Sequence, residues 1–318
     1  MTEISALEGA ARTAVDQCLA LRPDESFTVV SDPNTTAIAD ALYEAAIAVT
    51  DDAVYIRYPE GETHGGEPPV PVAGALERSD VFLAPTTKSL SHTRARQRAC
   101  EAGARGATLP GITETVFTTG LDADYERIAA TCGSIRESIG DASNITIKTE
   151  LGTDVTFDIG GRRWLSDTGI VHEPGDFSNL PAGEVFISPA SAEGTVLIDG
   201  TMRPYGLLQE PIELHFEDGY VTHISDEQIR STVDEAAETV GQAAYNVAEL
   251  GIGTNDGVTE LVGSVLLDEK AAGTIHVAIG DDASIGGDTE APIHLDGIVR
   301  DPVVFADGEA IDLPASGE

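Results

Sequence analysis

Over positions 1–141 the apolar residues alternate between two rhythms. Three- and four-residue spacing in SALEGAARTAVDQCLAL (5–21) predicts an amphipathic helix, and SFTVVSD (26–32) is a short apolar strand. DPNTTAIADALYEAAIAV (32–49) returns to helical spacing, with Asn34, Thr35 or Thr36 available as its cap. AVYIRY (53–58) and VFLAPT (81–86) are further strands, separated by the short helix GALERSD (74–80). SLSHTRARQRACEAGA (89–104) predicts a helix opened by a serine cap, GATLPGI (106–112) a strand, and YERIAATCGSIRESIGDA (125–142) a last helix. Helix and strand alternating at this interval imply crossover connections and a mainly parallel sheet.

Beyond position 141 the texture changes. SNITIKTELGTDVTFDIGG (143–161) predicts two short strands about a Gly-Thr-Asp turn. PIELHFEDGYVTHI (211–224) predicts a hairpin turned by Asp218-Gly219. DEQIRSTVDEAAETVGQAAYNVAEL (226–250) has the spacing of one long helix, and GTIHVAIGD (273–281) and APIHLDGIVRDPVVFADG (291–308) close the chain as strands. The expectation is an α/β domain over 1–141 and an α+β domain with a largely antiparallel sheet over 142–318, the latter carrying the chemistry.

Composition narrows the function. Fifty-five acidic residues face 18 basic ones, for a formal net charge of -37. Such a chain repels nucleic acid and anionic membrane surfaces. The acids are spread along the chain rather than gathered in a tail, and lysine occurs only at Lys88, Lys148 and Lys270. That pattern predicts a solvated surface adapted to high salt, where a Debye length of ~3 Å at 1 M limits self-repulsion. No apolar run approaches the ~18 residues of a membrane span. The opening MTEISALEGAARTAVDQCLALR lacks the basic segment and apolar core of a secretory leader. Cys18, Cys100 and Cys132 have no metal-binding spacing and are odd in number. Together these predict a cytoplasmic protein. GIGTNDG (251–257) lacks the spacing of a dinucleotide loop, and no GxxxxGK[ST] occurs.

Two apolar strands each admit a histidine: His276 in TIHVAIG and His294 in PIHLDG, the second followed by Asp296. In a strand, residues i and i+2 share a side, so His294 and Asp296 can act together. If the two strands are neighbours, two imidazoles and a carboxylate meet. Such a group is either a metal ligand set or a pair of core histidines hydrogen-bonded to an acid. Glu184, in a turn that leads into an apolar strand, and Glu249, expected at the C-terminus of the long helix, are two further acids. A helix C-terminus disfavours an acid by roughly 0.3–1 kcal/mol, so a cation beside Glu249 would offset the cost.

NLPAGEVFISP (179–189), GLLQEPIELHFEDG (206–219), AELGIGTN (248–255), LLDEKAAGTIHVAIG (266–280) and APIHLDG (291–297) occur in that order. Taken together they resemble the aminopeptidase T family of metallopeptidases. The resemblance implies a metalloenzyme whose ligands fall on Glu184, Glu249, His276, His294 and Asp296. Two divalent ions (Zn, Co or Mn) would acidify a water for the release of N-terminal residues from short peptides, with Glu249 both ligand and proton shuttle. A homodimer is implied as well. Peptidases of that family carry a tyrosine seven residues past the first histidine; here the position is Ala283. Loss of an oxyanion donor costs about 10²–10³ in rate.

The C-terminal motifs and the SLSHT segment (89–93) also resemble the family's 2,5-dihydroxypyridine 5,6-dioxygenase branch, which uses one non-haem Fe(II). His276, His294 and Asp296 satisfy a facial triad, and His92, expected in the first turn of a helix, would serve as an acid–base or substrate-orienting group. A metal-binding relative without catalysis is the third possibility.

Overall fold

The computed structural model describes residues 5–315. The chain divides into two compact units, one of residues 1–129 with 167–182, the other of 130–166 with 183–318.

The first unit is built on a five-stranded parallel sheet. Its strands lie in the order Ala53–Arg57, Phe27–Ser31, Val81–Thr86, Arg105–Pro110, Phe177–Asn179. Phe27–Ser31 and Val81–Thr86 are buried along their whole length, as strands covered on both faces require. The last strand, only three residues long, returns from beyond position 141 to pair with Arg105–Pro110. A single boundary at 141 therefore does not describe the path of the chain.

Local sequence starts the helices. Ser5 and Glu8 form a reciprocal capping box at the head of Ala6–Arg12. Thr36–Ile47 begins after Thr35, one of the three expected caps. Arg94–Glu101 is capped by Thr93, whose hydroxyl accepts from the Arg96 amide. The cap is a threonine rather than the expected serine, and His92 precedes the helix instead of lying in its first turn. Under the sheet, buried Arg105 donates to both carboxylate oxygens of buried Glu25 and to the carbonyls of Leu19 and Ala20.

The second unit holds two seven-stranded, largely antiparallel sheets. One runs Tyr220–Ile224, Ile212–Glu217, Ser191–Ile198, Asp154–Asp158, Asn144–Lys148, Val303–Ala306, Glu309–Ile311. Asn144–Lys148, Asp154–Asp158 and Ile212–Glu217 alternate buried and open positions, as one-sided sheets do. The expected hairpin turns at Asp218 and Gly219, both at positive φ, and pairs His215 with His223 across its arms. The other sheet runs Gly206–Leu207, Thr201–Met202, His294–Val299, Ile275–Gly280, Val247–Gly253, Glu184–Ile187, Leu165–Asp167. Ile198 of the first sheet fills the space over Gly297 of the second, so the back of this sheet is packed.

The helix expected over 226–250 stops early. It spans Glu227–Val240 and ends at Gly241, whose φ of 64° leaves the helical region. A short turn follows, and Val247–Gly253 is a fully buried central strand. Glu249 is therefore a strand residue, and no helix C-terminus opposes its charge.

Candidate metal centre

Strand register explains how acids and imidazoles far apart in sequence meet. Gly253 pairs with Glu184, Gly251 with His276, and Glu249 with Ala278. On the other flank Ala278 pairs with Asp296 and Gly280 with His294. Directly paired residues in an antiparallel ladder project to the same face, as do residues i and i+2 along each strand. Glu184, Glu249, His276, His294 and Asp296 thus stand on one face of the sheet, the face opposite Gly297.

Small residues between them make the room. A Cβ at Gly251 would lie 2.0 Å from Cε1 and 2.1 Å from Nε2 of His276. Without it, the imidazole lies across the neighbouring strand and directs Nε2 toward the acids. That nitrogen is 3.2 Å from Glu249 Oε1 and 3.5 Å from Glu184 Oε2. His294 Nε2 is 3.2 Å from both Glu249 Oε2 and Asp296 Oδ1. Its Nδ1 sits 2.7 Å from the Asp281 carbonyl. A carbonyl only accepts, so Nδ1 carries the proton there and Nε2 is the nitrogen left for a ligand bond, the usual support of a metal-binding histidine.

The five residues form two groups that share Glu249: Glu184, Glu249 and His276, and Glu249, His294 and Asp296. Within each, one donor atom per residue lies within 4.8 Å of the others. The first group is deeply buried. The second opens outward, with the His294 side chain 33% exposed. Glu184 Oε2 and His276 Nδ1 are buried and have no hydrogen-bond partner among the described residues. Burying a polar atom unpaired costs about 1–3 kcal/mol. A carboxylate oxygen left unpaired beside an imidazole, in a set of hard oxygen and imidazole nitrogen donors, fits a divalent cation.

The charges are strongly coupled. Burial alone would lift Glu249, but hydrogen bonds from His276 and His294 outweigh it and hold the carboxyl below its usual range. Burial would depress both histidines, yet the acids prevail. His276 is raised to about 9 by Glu249 and Glu184, and His294 to about 12 by Asp296 and Glu249. Burial pushes Glu184 upward, opposed by the Lys270 ammonium.

Lys270 is the residue that motif reading passed over. It is 3% exposed, donates to Glu184 Oε1, and lies 2.9 Å from Glu269 Oε1. The available signal was its rarity: it is one of three lysines, and it stands six residues before His276.

His92 belongs to the first unit and is exposed. Neighbouring Ser91 is buried, with its hydroxyl 2.7 Å from that of Thr108 and 2.8 Å from Asn179 Oδ1. This network ties the SLSHT segment to the ends of two parallel strands. His172 Nε2 is 2.8 Å from the Gln17 carbonyl, a contact within the first unit.

The sequence profile of the 2,5-dihydroxypyridine 5,6-dioxygenase family matches residues 7–313. The chain belongs to that family. It is 24% identical over 259 residues to the 2,5-dihydroxypyridine 5,6-dioxygenase of Pseudomonas putida, covering 75% of this chain and 71% of the relative. The solved structure of the 2,5-dihydroxypyridine dioxygenase from P. putida KT2440 superposes with a TM-score of 0.78 at 20% identity, over 98% of this chain and 97% of the other. AmpT from Thermus thermophilus superposes with a TM-score of 0.67 at 17% identity, over 96% and 99%. Both members of the suspected family share the fold. The relative matched in sequence is a dioxygenase, whereas the aminopeptidase is matched in fold.

Proposed function

We propose that this protein is a non-haem iron dioxygenase that opens a hydroxylated nitrogen-containing aromatic ring of the 2,5-dihydroxypyridine class. The observation that carries this is that His276, His294 and Asp296 share one sheet face around Glu249 in a member of the dioxygenase family. Those three residues would hold one Fe(II), with Glu249 packed between the two imidazoles. When bound, the iron supplies the redox chemistry by which both atoms of dioxygen enter the ring.

The chain's own residues do the rest. Asp281 fixes the His294 tautomer through its carbonyl, keeping Nε2 on the metal side. Glu249 and Asp296 balance the charge of the ion and hold the imidazoles in place. The outward-facing group around His294 is the side from which a small planar substrate enters. An acid–base role for His92, implied by the resemblance of the SLSHT segment, is part of the proposal. The Ser91–Thr108–Asn179 network sets the position of its segment.

A two-metal aminopeptidase is the alternative, favoured by two donor groups sharing Glu249. Ala283 weighs against it, since that position starts a short 3-10 turn and supplies no hydroxyl for an oxyanion. A relative that binds metal without catalysis is the remaining possibility. Anaerobic reconstitution with Fe(II) decides between them. Oxygen uptake with 2,5-dihydroxypyridine supports the proposal. Hydrolysis of an aminoacyl-p-nitroanilide by Zn-, Co- or Mn-loaded protein, without oxygen uptake, supports the peptidase.

The acid-rich surface suits a salt-rich cytoplasm, and a homodimer is the proposed assembly. No helix among the described residues is long and apolar enough to cross a membrane.

A further inference from the structure

An ammonium group sits inside the acid cluster and has no part in the chemistry above. Lys270 follows the short helix Val265–Asp268 and is buried against Glu184 and Glu269. Glu184 belongs to the deeper of the two donor groups, Glu184, Glu249 and His276. By donor geometry alone, the two groups describe two neighbouring cation positions with Glu249 between them. Beside the deeper position a cation is already present: Lys270 donates to Glu184 Oε1, leaving that carboxylate only Oε2, on the His276 side, for any other partner.

Charge leads to the same place. Glu184, Glu249, Glu269 and Asp296 bring four carboxylates, and Lys270 brings one ammonium. One divalent ion plus the ammonium leaves the cluster one charge short of neutral, whereas two divalent ions plus the ammonium make it cationic. Without the ammonium, two divalent ions match the four carboxylates. The ammonium thus turns a neutral two-ion cluster into one with an unpaired positive charge, and a buried charge without a partner is costly, so it weighs against the second ion.

We propose that Lys270 is a positioning residue that sets the metal count: by engaging Glu184 it takes the place of a second ion and confines the centre to one. This rests on the reading of the cluster as a metal centre. Glu184, with Oε2 3.5 Å from His276 Nε2, then steadies the His276 ring.

The test is metal stoichiometry on the full-length protein. The metal-free protein and its variants are loaded with excess Mn(II), desalted, and assayed by elemental analysis and by electron paramagnetic resonance. The expected results are one Mn per chain with an isolated-ion signal for the wild type and for Lys270→Arg, and two per chain with a spin-coupled signal for Lys270→Met and Lys270→Gln. One ion per chain in folded Lys270→Met and Lys270→Gln would overturn the role of Lys270 while leaving a one-metal centre standing. Two ions in the wild type would overturn it without any variant, and would favour the dinuclear reading. No retained Mn in the wild type would overturn the metal centre itself.

Discussion

Gly251 shows how a single missing side chain makes the site. Gly251→Ala puts a methyl group onto the His276 ring, and backbone on both flanks prevents the strand from yielding. Metal affinity is expected to fall about 10–100-fold, as when support of a ligand is lost, while circular dichroism stays native. Calorimetric titration with Mn(II) measures it. The raised histidines make a second prediction at this scale. His276 and His294 gain protons on folding, so their contribution to stability is fully present below the unfolded value of 6.5. It is lost as pH rises through about 9 for His276, and raised Glu184 adds in the same sense. Metal binding has the opposite sign, because it requires neutral imidazoles and displaces their protons. Thermal melts between pH 6.5 and 9 should show Tm of the metal-free protein falling and the gain from added metal widening. A gain that shrinks with pH would contradict the assignment of these histidines as ligands.

At the scale of elements, what was legible in the sequence followed from local rules. The His-x-Asp strand and its histidine-bearing neighbour were visible as apolar runs with period-two logic, and their pairing put the imidazoles on one face. Glu249 was misplaced because Ala248, Glu249 and Leu250 are good helix formers and continue a helical spacing. Pairing with Ile275–Gly280 on one side and Glu184–Ile187 on the other overrides that preference. Lys270 was illegible because its partner Glu184 is 86 residues away. The strand Phe177–Asn179 is too short to carry a periodic signal and exists through its pairing with Arg105–Pro110. The edge beneath that sheet gives a prediction independent of the metal. Glu25→Gln leaves the buried Arg105 guanidinium without its carboxylate and is expected to cost about 3–5 kcal/mol. Urea titration should show a lower midpoint with an unchanged slope. Because the folded-state pKa of Glu25 is lowered despite its burial, chiefly by the Arg105 hydrogen bond, its stabilisation is present above 4.5 and lost as pH falls further. The variant should therefore unfold in acid with a shallower pH dependence.

The whole molecule carries a net charge of -37, and its fold has to hold against that self-repulsion. Salt that shortens the screening length from about 10 Å at 0.1 M to about 3 Å at 1 M should raise Tm by many degrees in KCl and slow unfolding. A Tm independent of KCl between those concentrations would show that the acids are spaced widely enough not to interact. Charge also agrees with the ligands proposed above: a cation held by acids on a sheet face, and a small substrate rather than a polyanion. The direct measurement of the central claim is oxygen consumption by metal-free protein titrated anaerobically with Fe(II), then mixed with aerated buffer and 2,5-dihydroxypyridine. The prediction is uptake that rises to a plateau at one iron per chain, with one dioxygen consumed per ring opened. No uptake at any iron loading, in folded protein that hydrolyses an aminoacyl-p-nitroanilide with two metal ions bound, would contradict it.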